Sequence, residues 1–414
     1  MRPRIAARAS GPAPDAGGRR LERPGPRQGA RVRVLIVTSL AGVLALGCEA
    51  ATDLVTLPRI DSPREAYRES LRQARLDETA LGRDWVVAGD RALTDPIPIE
   101  LPLRETAFFP ADSAVALGYR LRGLRGRRIT ATIELQGLAR TRVYADLYRA
   151  ARDSLTAPRL VATLDSTALT FSWEPRRDRD FVFRLQPELL RSGTITVELR
   201  SEPALAFPVE GGSWGAVRSV YGDPRDGGRR SHHGVDIFAS RGTPALAAAT
   251  GRVTRVRNTP RGGKTVWLRD EQRELAIYYA HLDSQVVSTG QWVEPGDTLG
   301  FVGNTGNART TPPHLHFGVY RRGEGPTDPD QWLRAWEPRV AEVTADAGAL
   351  GVRMRLAGEA VPLRLSTGAG GAPRGIPENA VLRVLAASGG AYRVSLPDGE
   401  TGYVRPRDLE PAVD

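Results

Sequence analysis

The chain has 414 residues, 41% of them hydrophobic and 26% charged, a balance that excludes wholesale disorder and gives length enough for roughly two to four separate cores. Its formal charge is +10, but nine arginines against Asp15 and Glu22 leave +7 within residues 1–33, so residues 34–414 hold only +3. Too little basic field remains over the folded part to steer a polyanion, and no nucleic-acid partner is expected.

The basic head runs into RVRVLIVTSLAGVLALGC, where Arg31 and Arg33 precede an uncharged apolar run from Val34 to Gly47. That run matches the apolar region of a secretory signal and is too short for an ordinary membrane span. It ends at Cys48, the single cysteine, so an intramolecular disulfide is impossible. Ala45-Leu46-Gly47-Cys48 resembles the lipobox of bacterial lipoproteins. The resemblance implies that residues 1–47 are a lipoprotein signal and that Cys48 becomes the lipidated first residue, a membrane anchor. The alternative is a plain signal peptide or a retained anchor with an incidental cysteine. Each version places the folded part outside the cytoplasm, and the lipobox with Glu49 after the cysteine points to the periplasm and outer membrane of a double-membraned bacterium.

Residues 48–96 read as a tether and an N-terminal helix. Ser62-Pro63-Arg64-Glu65 is a capping box with proline at the first helical position. Tyr67, Leu71 and Ala74 then recur at helical spacing and Gly82 can close the turn, which predicts one short helix over roughly 63–81. From 97 to 205 the period changes to two: Ile129, Ala131, Ile133 and Leu135 share one strand face, as do Phe181, Phe183 and Leu185, and Ile195, Val197 and Leu199. Such strands, with Gly and Pro between them, predict an antiparallel β-sandwich accessory domain. Spacer, carbohydrate contact and lid over the next domain are all open roles for it.

Residues 206–337 hold all five histidines, and many glycines at turn-like positions punctuate short strands such as GRVTRVRN, KTVWLRD, LAIYYAHL and HLHFGVY. The pattern predicts a second antiparallel β domain. After a linker, residues 351–411 read as a small C-terminal β-barrel of short strands (VPLRLS, AVLRVLAA, AYRVSLP, ETGYVRPRDLEP). Thr401-Gly402-Tyr403-Val404 before a charged turn resembles bacterial SH3-like domains, with a structural β module lacking any ligand as the alternative. The fold class expected for the whole is therefore mainly β.

The histidines fall in three pieces. His232 and Asp236 stand four apart in SHHGVDIF, His281 lies in YYAHLD, and His314 and His316 straddle Leu315 in PPHLHFGV. On a strand, residues two apart share a face, so both imidazoles of the last pair would line one surface. Neutral imidazole is the commonest protein metal ligand, and two histidines with one carboxylate leave the fourth tetrahedral position of zinc open. His232, Asp236 and His316 could supply that set, and the two remaining imidazoles could handle the protons of a hydrolysis.

Together the pieces resemble the lysostaphin-type, or LytM-type, zinc metallopeptidases that cut cell-wall peptidoglycan. The family's His-x-x-x-Asp, its later histidine in an AHL-like context and its final His-x-His are met by His232 to Asp236, by Ala280-His281-Leu282 and by His314-Leu315-His316. Flanking segments agree, including GTPALAAATGRV and GQWVEPGDTLGFVGNTG, while NARTTPPHLH is longer than the segment many members carry. The resemblance implies a lysostaphin-like antiparallel β peptidase domain over 206–337, with His232, Asp236 and His316 holding Zn2+. It makes His281 and His314 the pair that activates water and stabilises the tetrahedral intermediate. His233 is left as a surface or packing residue. Peptidoglycan peptide stems are then the expected substrate. The alternative is a non-hydrolytic regulator of other cell-wall hydrolases, and any regulatory partner is left unidentified.

Overall fold

The computed structural model describes residues 62–412 apart from 138–140, 154–155, 165–166, 336–338, 358–361, 364–373 and 378–379. The leader, Cys48 and the tether lie outside the described residues, as does most of the expected strand VPLRLS.

Ser62 caps the first helix, Pro63–Gln73, its hydroxyl accepting the Glu65 N–H at 3.3 Å. The helix stops earlier than the sequence spacing predicts. Arg75 turns left-handed (φ 55°), a 3-10 turn covers Leu76–Glu78, and the Thr79 hydroxyl caps a second helix, Ala80–Thr94, by accepting the Gly82 N–H at 3.1 Å. The single helix over 63–81 is thus corrected to two. Gly82 does not terminate anything: a Cβ there would lie 1.9 Å from the Leu76 carbonyl oxygen, so the close approach of two turns is what requires glycine. Trp85 and Leu71 anchor the pair on the β structure beside Tyr144, and the Trp85 indole donates to the Pro187 carbonyl at 2.9 Å.

Residues 97–203 form two facing sheets. One orders the strands Ile97–Pro98, Leu117–Gly123, Arg179–Pro187, Val143–Arg149 and Arg159–Thr163; only the short first strand pairs in parallel. The other contains Leu103–Phe109, Gly193–Pro203, Arg127–Gln136 and Thr170–Trp173. Alternate side chains of both meet in one core, with Tyr119, Phe183 and Leu185 from the first sheet against Ile129, Ile195, Val197 and Leu199 from the second.

The small closed barrel expected for 351–411 is not formed. Its strands Val381–Ser388, Ala391–Ser395 and Thr401–Val404 continue the second sheet of the sandwich, through Thr106 opposite Ala387 and Ala107 opposite Ala386, into an open nine-stranded sheet. A small core of its own (Leu382, Val384, Val394, Val404) coexists with Leu385, Ala386 and Tyr403 packed into the sandwich core. The reason is a buried polar knot. Glu105 accepts from the hydroxyls of Tyr119 (2.7 Å) and Tyr403 (2.6 Å) and pairs with Arg393 at 3.3 Å, and Arg393 also donates to the Gly118 carbonyl at 3.1 Å. These groups meet one another only when both segments are together. Arg393→Ala should leave the Glu105 carboxylate buried without its cation and lower the unfolding free energy by about 3–5 kcal/mol, read as a fall in the urea midpoint.

Residues 217–327 build an eight-stranded antiparallel sheet. Its order is Val217–Ser219, Val235–Phe238, His314–Arg321, Leu275–Leu282, Gly263–Asp270, Gly251–Thr259 and Trp292–Val293, with Gly325–Thr327 on the far end of His314–Arg321. A three-stranded sheet (Pro244–Leu246, Thr298–Phe301, Ser284–Gln285) lies beside it. Val235, Ile237, Ile277, Tyr279, Leu315 and Phe317 share the core beneath, so the alternate residues of the same strands face outward.

Contacts between this region and the sandwich include the turn after Asp270 and the segments that follow Arg321 and Leu333. Arg273 grips Glu174 with two hydrogen bonds of 2.7 Å, Arg125 pairs with Glu324 at 2.7 Å, and Arg127 donates to the Arg334 carbonyl at 2.6 Å. Leu275 opens the strand that His281 nearly closes, so the docking point is about 20 Å from that histidine at ordinary strand rise.

Candidate metal centre

Strand register sets the site. On the antiparallel pair Val235–Phe238 and His314–Arg321, Asp236 stands opposite His316 and Phe238 opposite His314, and Ala280 of the next strand is also opposite His316. Alternation therefore places Asp236, His314 and His316 on one face, which the sequence spacing predicts for the two histidines. Gly234 allows the strands to close here. A Cβ would lie 2.4 Å from the Phe317 carbonyl oxygen and 2.9 Å from the His316 ring, so close approach is what requires glycine.

His232 arrives from a turn. Its N–H donates to the Asp223 carbonyl at 2.8 Å and its carbonyl accepts from Gly222 at 2.9 Å, which fixes the backbone just before the strand. The ring Nδ1 is 2.9 Å from the Val220 carbonyl oxygen, which can only accept, so Nδ1 carries the hydrogen and Nε2 keeps a lone pair. That Nε2 lies 3.0 Å from Asp236 Oδ1 and 2.9 Å from His316 Nδ1, and the last two atoms are 2.9 Å apart. The second Asp236 oxygen is held by Arg225 at 2.8 Å.

His281 required a device that alternation does not provide. Leu275, Ile277 and Tyr279 all point into the core, and strict period two would send residue 281 after them. A β-bulge intervenes: Lys264 pairs with Leu282 and Val266 with Tyr279, so one strand advances two residues while the other advances three. His281 adopts φ 64°, a left-handed conformation unusual for a side chain with Cβ, and the inserted residue returns Leu282 to the core and His281 to the outer face. There its ring lies 5.1 Å from that of His314 and 6.0 Å from that of His316.

The two outer imidazoles share one hydrogen-bonding arrangement. His281 Nδ1 donates to the Thr305 carbonyl and His314 Nδ1 to the Pro312 carbonyl, both at 2.9 Å, leaving each Nε2 as an acceptor. His314 is stacked on Phe238 at 5.0 Å, and Tyr278 meets His316 edge-on at 5.8 Å. Burial pushes the His281 imidazole down to about 4, against a partial opposing effect of its bond to Thr305, so it is neutral at ordinary pH. Burial also lowers His316. For Asp236 burial acts to raise the carboxyl, but the adjoining His232 and His316 rings outweigh it and hold the group well below the usual carboxylate range.

These donors fit a divalent cation of the zinc type. Two imidazole nitrogens and an ionised carboxylate oxygen converge, and the three residues are the one His/Asp/Glu/Cys group among the described residues whose ligand atoms all gather within 4.8 Å. Acceptor lone pairs crowded at one point repel unless a cation lies among them. They border an open cleft of about 530 Å³ whose lining comes wholly from residues between Ser219 and Tyr320. Neither the sandwich nor the C-terminal strands contribute to that lining among the described residues. His233 is exposed at the cleft margin and outside the converging set.

Sequence reasoning missed Arg225. It sits in the hairpin that pairs Pro224–Arg225 with Arg230–Ser231, eleven residues before Asp236, and no periodicity links the two. Because Arg225 fixes the carboxylate's orientation, Arg225→Ala should weaken zinc binding about 10- to 100-fold, measured by competition with a chromogenic chelator.

Residues 230–329 match peptidase family M23. This segment is an M23 domain. Curated relatives of the chain include the L-Ala–D-Glu endopeptidase of Bacillus subtilis, 41% identical over 143 residues, which are 32% of this chain and 44% of that protein. The uncharacterised lipoprotein YgeR of Escherichia coli is 27% identical over 53% of this chain and 90% of its own length. Among solved structures, the lysostaphin catalytic domain of Staphylococcus simulans is 30% identical over 27% of this chain and 87% of that one, with a TM-score of 0.25. The chain spans less than half the length of the B. subtilis endopeptidase, and the stretch it shares includes too few residues to account for its sandwich and C-terminal strands as well as the M23 domain.

Proposed function

We propose that this chain is an exported, zinc-dependent endopeptidase that hydrolyses peptide cross-links in bacterial peptidoglycan. The observation that carries the reading is the meeting of three acceptor atoms, from His232, Asp236 and His316, beside two further imidazoles in one open cleft. Relatives of the M23 domain named an L-Ala–D-Glu endopeptidase in B. subtilis and a peptidoglycan DD-endopeptidase in Vibrio cholerae support the substrate class.

Zinc held by His232, Asp236 and His316 would supply Lewis acidity toward an amide carbonyl and an attacking water. The chain's own groups manage the protons. His281 and His314 present Nε2 lone pairs, so either can accept a proton from water. Once protonated, the same imidazole can donate to the developing oxyanion or to the departing amine. Arg225 keeps the Asp236 carboxylate oriented throughout, and the Thr305 and Pro312 carbonyls fix the tautomers of the two bases. The lipoprotein relative supports anchoring through Cys48, which would place the sandwich and the M23 domain at the cell envelope.

The test is digestion of defined cross-linked muropeptides by the purified full chain, with products read by mass spectrometry. Cleavage should vanish with a chelator and return with zinc. Intact muropeptides after incubation with zinc-loaded protein would sink the peptidase and favour the regulator.

A further inference from the structure

Three guanidinium side chains line the cleft: Arg225, Arg230 and Arg261. Two are already committed, Arg225 to Asp236 at 2.8 Å and Arg230 to Asp226 at 2.7 Å. Those two carboxylates are the only ones in the lining among the described residues, so the cleft holds no free acid there. Arg261 is exposed, and its side chain forms no hydrogen bond or ion pair among the described residues, although its charge helps to lower the Asp226 carboxyl, which Arg230 already holds.

Its backbone, by contrast, is fixed. The Arg261 carbonyl accepts from Asn307 at 3.0 Å, and the Gly262 carbonyl accepts the His281 N–H at 2.8 Å. Gly262 also donates to the Thr259 hydroxyl at 3.0 Å, and a Cβ on it would lie 2.1 Å from the Tyr278 hydroxyl. The turn is therefore pressed onto the cleft wall. An uncommitted cation stands on it, one residue from the hydrogen bond that helps to position His281.

We propose that Arg261 anchors a free carboxylate of the substrate's peptide stem close to the scissile bond, so that the chain prefers acidic stems to amidated ones. This rests on the peptidase reading above. A guanidinium fork matches a carboxylate with two parallel hydrogen bonds, and a rigid turn leaves only side-chain freedom to be lost on binding. An incoming carboxylate meets no unpaired acid in the cleft among the described residues, whereas a neutral amide offers only its carbonyl oxygen and a weaker hydrogen bond.

The experiment compares two muropeptides that differ only in a free acid or primary amide on the stem. Each is titrated into the zinc-loaded full chain carrying His314→Ala, alone and combined with Arg261→Ala or Arg261→Lys, and cleavage of both by the parent is followed in parallel. Amidation should weaken binding about tenfold when Arg261 is present, as expected for exchanging an exposed charge-assisted pair for a weaker neutral contact. The ratio should fall to about one with alanine and be partly restored by lysine. An acid-to-amide ratio that alanine leaves unaltered, or a ratio of one in the presence of Arg261, would overturn the proposal. A parent that cleaves neither peptide yet shows the Arg261-dependent preference would sink the peptidase reading, and with it the scissile bond, and keep only carboxylate binding by Arg261.

Discussion

Replacing His316 by alanine is expected to abolish zinc binding and hydrolysis together. His316 Nδ1 is within 2.9 Å of both other acceptors, and its removal leaves a pair, His232 Nε2 and Asp236 Oδ1, in place of a triad. Losing a residue that merely orients a ligand costs about 10- to 100-fold in affinity, so losing the ligand itself should cost more than about 100-fold. Zinc content by mass spectrometry should fall from near one per chain to background. Unfolding distinguishes this from general damage. Added zinc should raise the parent's urea midpoint, since a ligand bound only by the folded state stabilises it, and should leave the variant's midpoint unmoved. A variant that retains one zinc per chain would remove His316 from the metal site.

The strand histidines were legible in the sequence because period two is a local rule: His314 and His316 had to share a face, and the opposing strand with Asp236 needed only the correct register. The sandwich was legible for the same reason, in Ile129, Ala131 and Ile133 and in Ile195, Val197 and Leu199. What escaped depends on contacts distant in sequence. Nothing around Arg393 announces that its guanidinium will meet Glu105 far upstream, and without that pair the last strands look like a free-standing barrel. Nor does YYAHLD reveal a bulge. Period two alone would have buried His281 with Tyr279, and only the His-rich motif suggested otherwise. The second helix was missed because Gly82 reads as a stop unless Thr79 is recognised as the cap of a new helix starting at Ala80.

The sandwich raises a question about access that the docking geometry answers. A lid would have to touch the cleft, yet the Arg273–Glu174 grip lies at the turn before Leu275, and among the described residues the cleft lining contains only those from Ser219 to Tyr320. Holding the sheet by the end remote from His281 suits a spacer, since it fixes the M23 domain against the sandwich without covering the histidines. Among the described residues this geometry speaks against the lid, one of the three expected roles.

His314→Ala should separate metal binding from turnover. The His314 ring is not among the three converging acceptors; it is held by the Pro312 carbonyl, stacked on Phe238 and 5.1 Å from the His281 ring. Its deletion should therefore leave close to one zinc per chain while kcat on cross-linked muropeptides falls by about 10²- to 10⁴-fold, the usual contribution of a positioned proton-transfer group. KM should change little, because the lost interaction belongs to the transition state. His281→Ala should produce a loss of similar size, and the double variant should lose much less than the product of the two, since the imidazoles act on the same proton inventory. Loss of zinc from His314→Ala would move this residue into the metal site. A kcat within a few-fold of the parent would take proton transfer away from it, and an activator that works by binding alone would be indifferent to the change.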